Sequence, residues 1–136
     1  GRVGLLTPVL ESLAAQTRKP DAVVLNVPDW SRRFNTSYAV PWALRDPKGR
    51  WARELGLVVN RVPRDLGPAT KLLPTLALEQ DPATLIVTVD DEYRYPAEMV
   101  AHLVQQAETS PHAAYGYAGQ MIDLARAEGP EAAAPP

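Results

Sequence analysis

The sequence predicts an α/β layer, a mostly parallel sheet with helices on both faces, over residues 1–127, followed by an Ala/Pro-rich disordered tail at 128–136. Three observations lead there. Apolar runs of strand length alternate with segments of helical periodicity, and their spacing fits right-handed parallel crossovers. Helical segments begin on prolines, at Pro8, Pro68 and Pro96, as suits the first turn of a helix. The β-branched run Val87-Thr88-Val89 then stops abruptly at Asp90-Asp91-Glu92. Buried parallel strands read as such runs, and open α/β sheets bind ligands at the carboxyl ends of their strands.

In chain order, Thr7 reads as an N-cap and Pro8 as the first helical residue, ahead of the apolar stripe Val9, Leu10, Leu13 and Ala14. This helix stops before Arg18-Lys19-Pro20. Ala22–Val27 is a short buried strand closed by Pro28-Asp29. An irregular stretch from Pro28 to about Asp46 holds Trp30, Phe34, Tyr38 and Trp42, too many aromatics for disorder. Those rings either close over a core edge or stack on a base or a sugar. A short helix at Arg50–Leu55 ends on Gly56, and Leu57–Val62 is the next strand. A helix from Pro68 is broken near Leu73 by Pro74. Thr84–Val89 is the strand that carries the acids. Pro96 opens a third helix with an apolar face of Met99, Val100, Leu103, Val104 and Ala107, and Ala113–Tyr117 reads as a further strand.

Three adjacent carboxylates repel one another unless a cation or a donor-rich ligand neutralises them. A divalent metal takes hard oxygen ligands and shares them with substrate phosphates, and helix N-termini on the same edge favour anions. The same acids also read as a solvated strand-to-helix loop. Asp65 is a helix cap or a nucleotide-orienting group, and Lys71 is a phosphate-facing point charge or a solvated helix lysine. His102 and His112 have no partner at metal-ligand spacing and read as surface residues.

The composition narrows the classes. A 46% hydrophobic and 22% charged chain of 136 residues is a single globular domain. Its net charge of −2, with no basic run, argues against nucleic acid as a partner. Without cysteine there is neither disulfide nor thiolate metal site, and no apolar stretch approaches a membrane span. The compartment stays open between the cytoplasm and a secretory lumen.

Ser12-Leu13-Ala14-Ala15-Gln16-Thr17-Arg18-Lys19-Pro20-Asp21 resembles the "SL..QT..PD" passage of family 2-like, GT-A-type glycosyltransferases. Asp65–Pro74 resembles their "D.GPATKL.P" segment, and Val87–Pro96 is similar to "VTVDDD..YP", which contains the DxD motif. The three segments stand in family order from Arg2 to Tyr117. The resemblance implies a Rossmann-like GT-A layer and the donor-binding portion of a metal-dependent transferase that uses a nucleotide-diphosphate sugar. By that resemblance Asp90 and Glu92 hold manganese or magnesium, and Lys71, Asp90, Asp91 and Arg2 bind the nucleotide sugar. Glu92 stands where the family has Asp. Its extra methylene moves the carboxylate outward by ~1.5 Å, one C–C bond, which suits a flexible site better than tight octahedral geometry.

The family's apolar first strand, central in its sheet, has no convincing counterpart in Gly1-Arg2-Val3-Gly4-Leu5. Its catalytic base and acceptor site lie beyond the DxD strand. The expectation is therefore a GT-A layer incomplete at both ends, part of a longer transferase, inactive alone, with a gap or a foreign strand beside Val87. The alternative is a non-catalytic remnant or another α/β module that binds a phosphate ligand.

Overall fold

The computed structural model describes residues 6–110 and 113–116. It is a mixed α/β fold built on a small parallel sheet. Helix α1 (Thr7–Ala14) buries Val9, Leu10 and Leu13. Strand β1 (Val23–Pro28) follows, then a hairpin of β2 (Trp30–Ser31) and β3 (Thr36–Ser37), then the short helices α2 (Trp42–Arg45) and α3 (Arg50–Leu55). Strand β4 (Leu57–Val62) leads into a 3-10 helix at Gly67–Lys71 and helix α4 (Leu73–Leu78). Helix α5 (Met99–Thr109) closes the described fold. Among the described residues no helix is long and apolar enough to cross a membrane.

β1 and β4 run parallel, with Val23 opposite Leu57, Leu25 opposite Val59 and Asn26 opposite Asn60. Because strand side chains alternate, Val23, Leu25, Leu57 and Val59 share one face. That face packs on the core formed by Leu10 and Leu13 of α1, Trp51 and Leu55 of α3, and Met99, Val100 and Val104 of α5. On the opposite face, Asn60 Nδ2 donates to Asn26 Oδ1 (2.8 Å) and Asn26 Nδ2 donates to Thr75 Oγ1 of α4 (2.8 Å). Helices therefore contact both faces, one side through apolar packing and the other through amides.

The α3-to-β4 junction depends on Gly56. It sits at φ 55°, ψ 35°, and its N–H closes the helix on Ala52 O. A Cβ at that position would stand 3.0 Å from Asp21 O, so the left-handed cap also admits the chain that leads into β1.

The structure differs from the sequence reading at five places. Thr84–Val89 is not a strand and joins no ladder; among the described residues each parallel strand has one partner, the other. Without a ladder among the described residues, its apolar side chains gain little cover. Leu85 and Val87 stay exposed, while Val89 alone packs against the core. Among the described residues the expected mostly parallel sheet is thus two strands, with a separate antiparallel hairpin. Ala113–Gly116 is not a strand either, and Tyr117 lies outside the described residues. Helix α5 starts three residues after Pro96, whose carbonyl instead accepts from Met99 N to make a turn. Thr7 is the first residue of α1 rather than its cap, with Leu6 preceding it. The stretch read as irregular contains β2, β3 and α2. Near Leu73 the helix breaks as expected: Leu72 separates the 3-10 helix from α4, whose first turn holds Pro74. The tail at 128–136, Arg2 and His112 lie outside the described residues.

Candidate functional site

Two segments singled out by sequence meet in space. Lys71, at the end of the 3-10 helix, forms an ion pair through Nζ with Asp90 Oδ1, 19 residues further along. Both side chains are substantially exposed, so the contact contributes well under 1 kcal/mol to stability. Its significance is positional: a cation and a carboxylate are held side by side at the surface.

Lys71 is placed by the turn that precedes it. Asp65 Oδ1 accepts from Gly67 N (2.8 Å), which sets the entry into the 3-10 helix, and Thr70 Oγ1 accepts from Leu66 N (2.9 Å). The second oxygen of Asp65 accepts from Arg32 N (3.0 Å) and ties the β2–β3 hairpin to the same turn. Both carboxylate oxygens thus hold backbone amides, although Leu66 rather than Asp65 stands at the N-cap of the 3-10 helix.

Asp90 is placed by Tyr95. The backbone N–H of Asp90 donates to the Tyr95 hydroxyl (2.7 Å), and that hydroxyl donates back to Asp90 O (3.3 Å). One phenol therefore closes the turn formed by Asp91 and Glu92, both exposed. Burial pushes the Tyr95 pKa above its ordinary value; the bond from the Asp90 backbone pulls it down, the Asp90 charge adds to the rise and Lys71 opposes it. The hydroxyl stays protonated, and so able to donate, throughout the neutral range.

Pro96 and Ala97 are anchored from α1. Gln16, only 3% exposed, donates from Nε2 to Pro96 O (2.7 Å) and Ser12 O (3.1 Å), and its Oε1 accepts from Val100 N (2.9 Å). Thr17 N donates to Ala97 O (2.8 Å). The Gln16-Thr17 pair therefore satisfies a first-turn amide of α5 and fixes the chain that leaves the acidic turn. It also removes one expected anion site, because the Val100 N–H at the start of α5 is already bonded.

The structure thus joins Lys71 with Asp90 and sets Asp91 and Glu92 in the adjoining turn; Arg2 lies outside the described residues. Among the described residues, no group of three or more His, Asp or Glu side chains is arranged to hold a metal ion by itself. The donor set consists of hard carboxylate oxygens on a surface turn. It fits a cation shared with a ligand's phosphates better than one enclosed by protein. Sequence reasoning gave no role to Tyr95 or Gln16. The Tyr-Pro pair that follows the acids was the available signal for the first, and an uncharged amide just after an apolar helical stripe for the second.

Three of the four aromatics of the 30–42 stretch stay exposed. Trp30 is 50% exposed, Phe34 57% and Trp42 66%. Arg33 lies over the Phe34 ring at 5.4 Å and Arg45 over the Trp42 ring at 5.9 Å. Tyr38 is half-buried and donates to Ser31 Oγ.

No family model, curated protein or solved structure matches the chain.

Proposed function

We propose that this chain is the donor-binding portion of a metal-dependent glycosyltransferase that uses a nucleotide-diphosphate sugar. The observation that carries the proposal is the juxtaposition of Lys71 with Asp90 in a turn closed by Tyr95. The two motif-like segments, Asp65–Pro74 and Val87–Pro96, were singled out separately in the sequence, and donor binding requires them to be neighbours. The Rossmann-like GT-A layer belongs to this proposal. β1 and β4 would be two of its parallel strands, with Thr84–Val89 lying beside the place of a third.

In this reading Asp90 and Glu92 hold manganese or magnesium together with the donor's phosphates, and Asp91 and Arg2 contribute to nucleotide-sugar binding. The bound metal would supply Lewis-acid neutralisation of the diphosphate leaving group. Lys71 gives a compact charge for a phosphate oxygen once its contact with Asp90 is exchanged for the ligand. Tyr95 fixes the backbone at Asp90 without using the carboxylate, whose partner is Lys71.

Titration calorimetry with manganese and the diphosphates of uridine, guanosine, cytidine and thymidine tests the proposal. Metal-dependent binding should weaken at least about tenfold, the loss of one charge-assisted contact, in Lys71→Met and in the double variant Asp90→Ala, Glu92→Ala. Equal binding in all three proteins would refute the assignment.

One observation favours a second reading, a non-catalytic module that binds phosphate without metal: Lys71 already neutralises Asp90. Diphosphate binding that is insensitive to EDTA, lost in Lys71→Met and retained in Asp90→Ala would select it.

A further inference from the structure

The residues from Pro28 to Arg64 carry a charge balance opposite to that of the rest of the chain. Eight of the fourteen lysines and arginines lie there, against three carboxylates, Asp29, Asp46 and Glu54. Two of those acids are paired, Asp29 with Arg61 and Glu54 with Arg50. Among the described residues, no ion pair forms at Arg32, Arg33, Arg45, Lys48 or Arg64, all of them exposed. The same segment carries the exposed rings of Trp30, Phe34 and Trp42, with guanidinium groups over two of them. An open groove of about 700 Å³ runs between β4 and the 38–47 segment, bounded by Tyr38, Leu44, Arg45, Val58 and Arg61.

We propose that this arginine–aromatic segment docks an acidic glycan, a chain of sugars that bear carboxylates. Such a ligand matches two features that otherwise lack a cause. Large exposed rings are costly to leave in water, and the C–H face of a pyranose covers a ring without needing a specific sequence of polar groups. A guanidinium already laid over a ring is a preformed fork for a carboxylate on the sugar that covers the neighbouring surface. One uronate residue supplies both partners at once.

The hairpin is also tied directly to the candidate donor site, because Arg32 N donates to the carboxylate of Asp65, which sets the turn before Lys71. The glycan's role as acceptor rests on the glycosyltransferase reading of that site; the docking chemistry does not. Single-stranded nucleic acid also combines flat groups with negative charge, and an oligothymidylate of equal charge distinguishes it in the test below.

The test uses the full 136-residue chain and tryptophan fluorescence, with four ligands: oligogalacturonate hexamer, its fully methyl-esterified counterpart, a neutral gluco-oligosaccharide and an oligothymidylate of equal charge. Oligogalacturonate should quench the fluorescence and bind at least about tenfold tighter than either neutral ligand, with affinity that falls as salt rises. Arg33→Gln with Arg45→Gln, and separately Phe34→Ala with Trp42→Ala, should each weaken it by about tenfold, with the far-UV circular dichroism unchanged. Equal binding of the esterified hexamer, tighter binding of the oligothymidylate, or indifference to both double variants would overturn the proposal. Calorimetry with manganese and uridine diphosphate on the same variants separates the two readings. Unchanged diphosphate binding alongside lost oligogalacturonate binding supports a separate docking segment. Diphosphate binding with no oligogalacturonate binding in the unaltered chain sinks this inference and leaves the donor site standing.

Discussion

Replacing Gln16 by Leu keeps the side chain's bulk but removes all of its hydrogen bonds. The position is almost wholly buried, and three bonds end there: to Pro96 O, to Ser12 O and from Val100 N. The three do not weigh equally. Pro96 is an exposed residue, so water can take over its carbonyl. Val100 is 8% exposed, and its amide has no such substitute. A buried donor left without a partner costs about 1–3 kcal/mol, and losing a helix-cap contact costs about 0.5–2 kcal/mol by an overlapping mechanism. The expected loss is therefore about 2 kcal/mol. At this chain length that lowers Tm by about 8 °C and moves the urea midpoint without changing the slope. Native-state hydrogen exchange supplies a readout specific to the site, because the Val100 amide should lose protection before the rest of the core does. A loss below about 0.5 kcal/mol, the level of an ordinary surface substitution, or a Val100 amide as protected as in the parent, would refute the reasoning.

Four further outcomes are expected. Tyr95→Phe should leave the fold intact and weaken metal–diphosphate binding, because the Tyr95 hydroxyl holds both backbone groups of Asp90; unaltered binding would count against its positioning role. Since the folded-state pKa of Tyr95 is raised, the stability its protonated hydroxyl supplies is complete below the ordinary tyrosine value of about 10 and is lost as pH rises through the higher one. Alkaline urea titrations should therefore show a steeper decline in the parent than in Tyr95→Phe. Gly56→Ala should destabilise by about 1–2 kcal/mol, the cost of a left-handed residue with a Cβ, and somewhat more for its close approach to Asp21 O; a neutral effect in urea denaturation would show that the cap relaxes. Asp65→Ala should free the hairpin, so that trypsin cleaves after Arg32 or Arg33 several-fold faster than in the parent, and an unchanged cleavage rate would disprove that tether.

The parts of this fold that were legible in the sequence are those with a local cause. Arg50–Leu55 followed by Gly56, and Leu57–Val62 after it, came out with the expected bounds because capping and patterning act within a few residues. Thr84–Val89 failed for the opposite reason. Its composition is that of a buried strand, but a strand also needs a neighbour, and β-propensity cannot supply one. The hairpin was missed because strands of two residues are too short to show alternation. Its one local signal is Asn35 at φ 50°, a residue type that tolerates the left-handed turn. In the candidate site, Lys71 and Asp90 were named as separate residues, but their contact depends on tertiary structure. Gln16 belonged to a recognisable segment, yet its bonds reach Pro96 and Val100, 80 and 84 residues away, and no local pattern carries that information.

That reach has a kinetic consequence. Closing a chain segment of about 80 residues costs entropy before any contact rewards it, so the bonds of Gln16 to the start of α5 belong late on the folding route. The α3 cap and the β1–β4 pair, which bring together closer parts of the chain, can form first. Interactions made after the transition state govern how fast the native state is left rather than how fast it is reached. Gln16 would then act as a latch on unfolding. The acidic turn leads straight into the Pro96–Val100 segment it secures, and would be released whenever that latch opens, before the sheet itself comes apart.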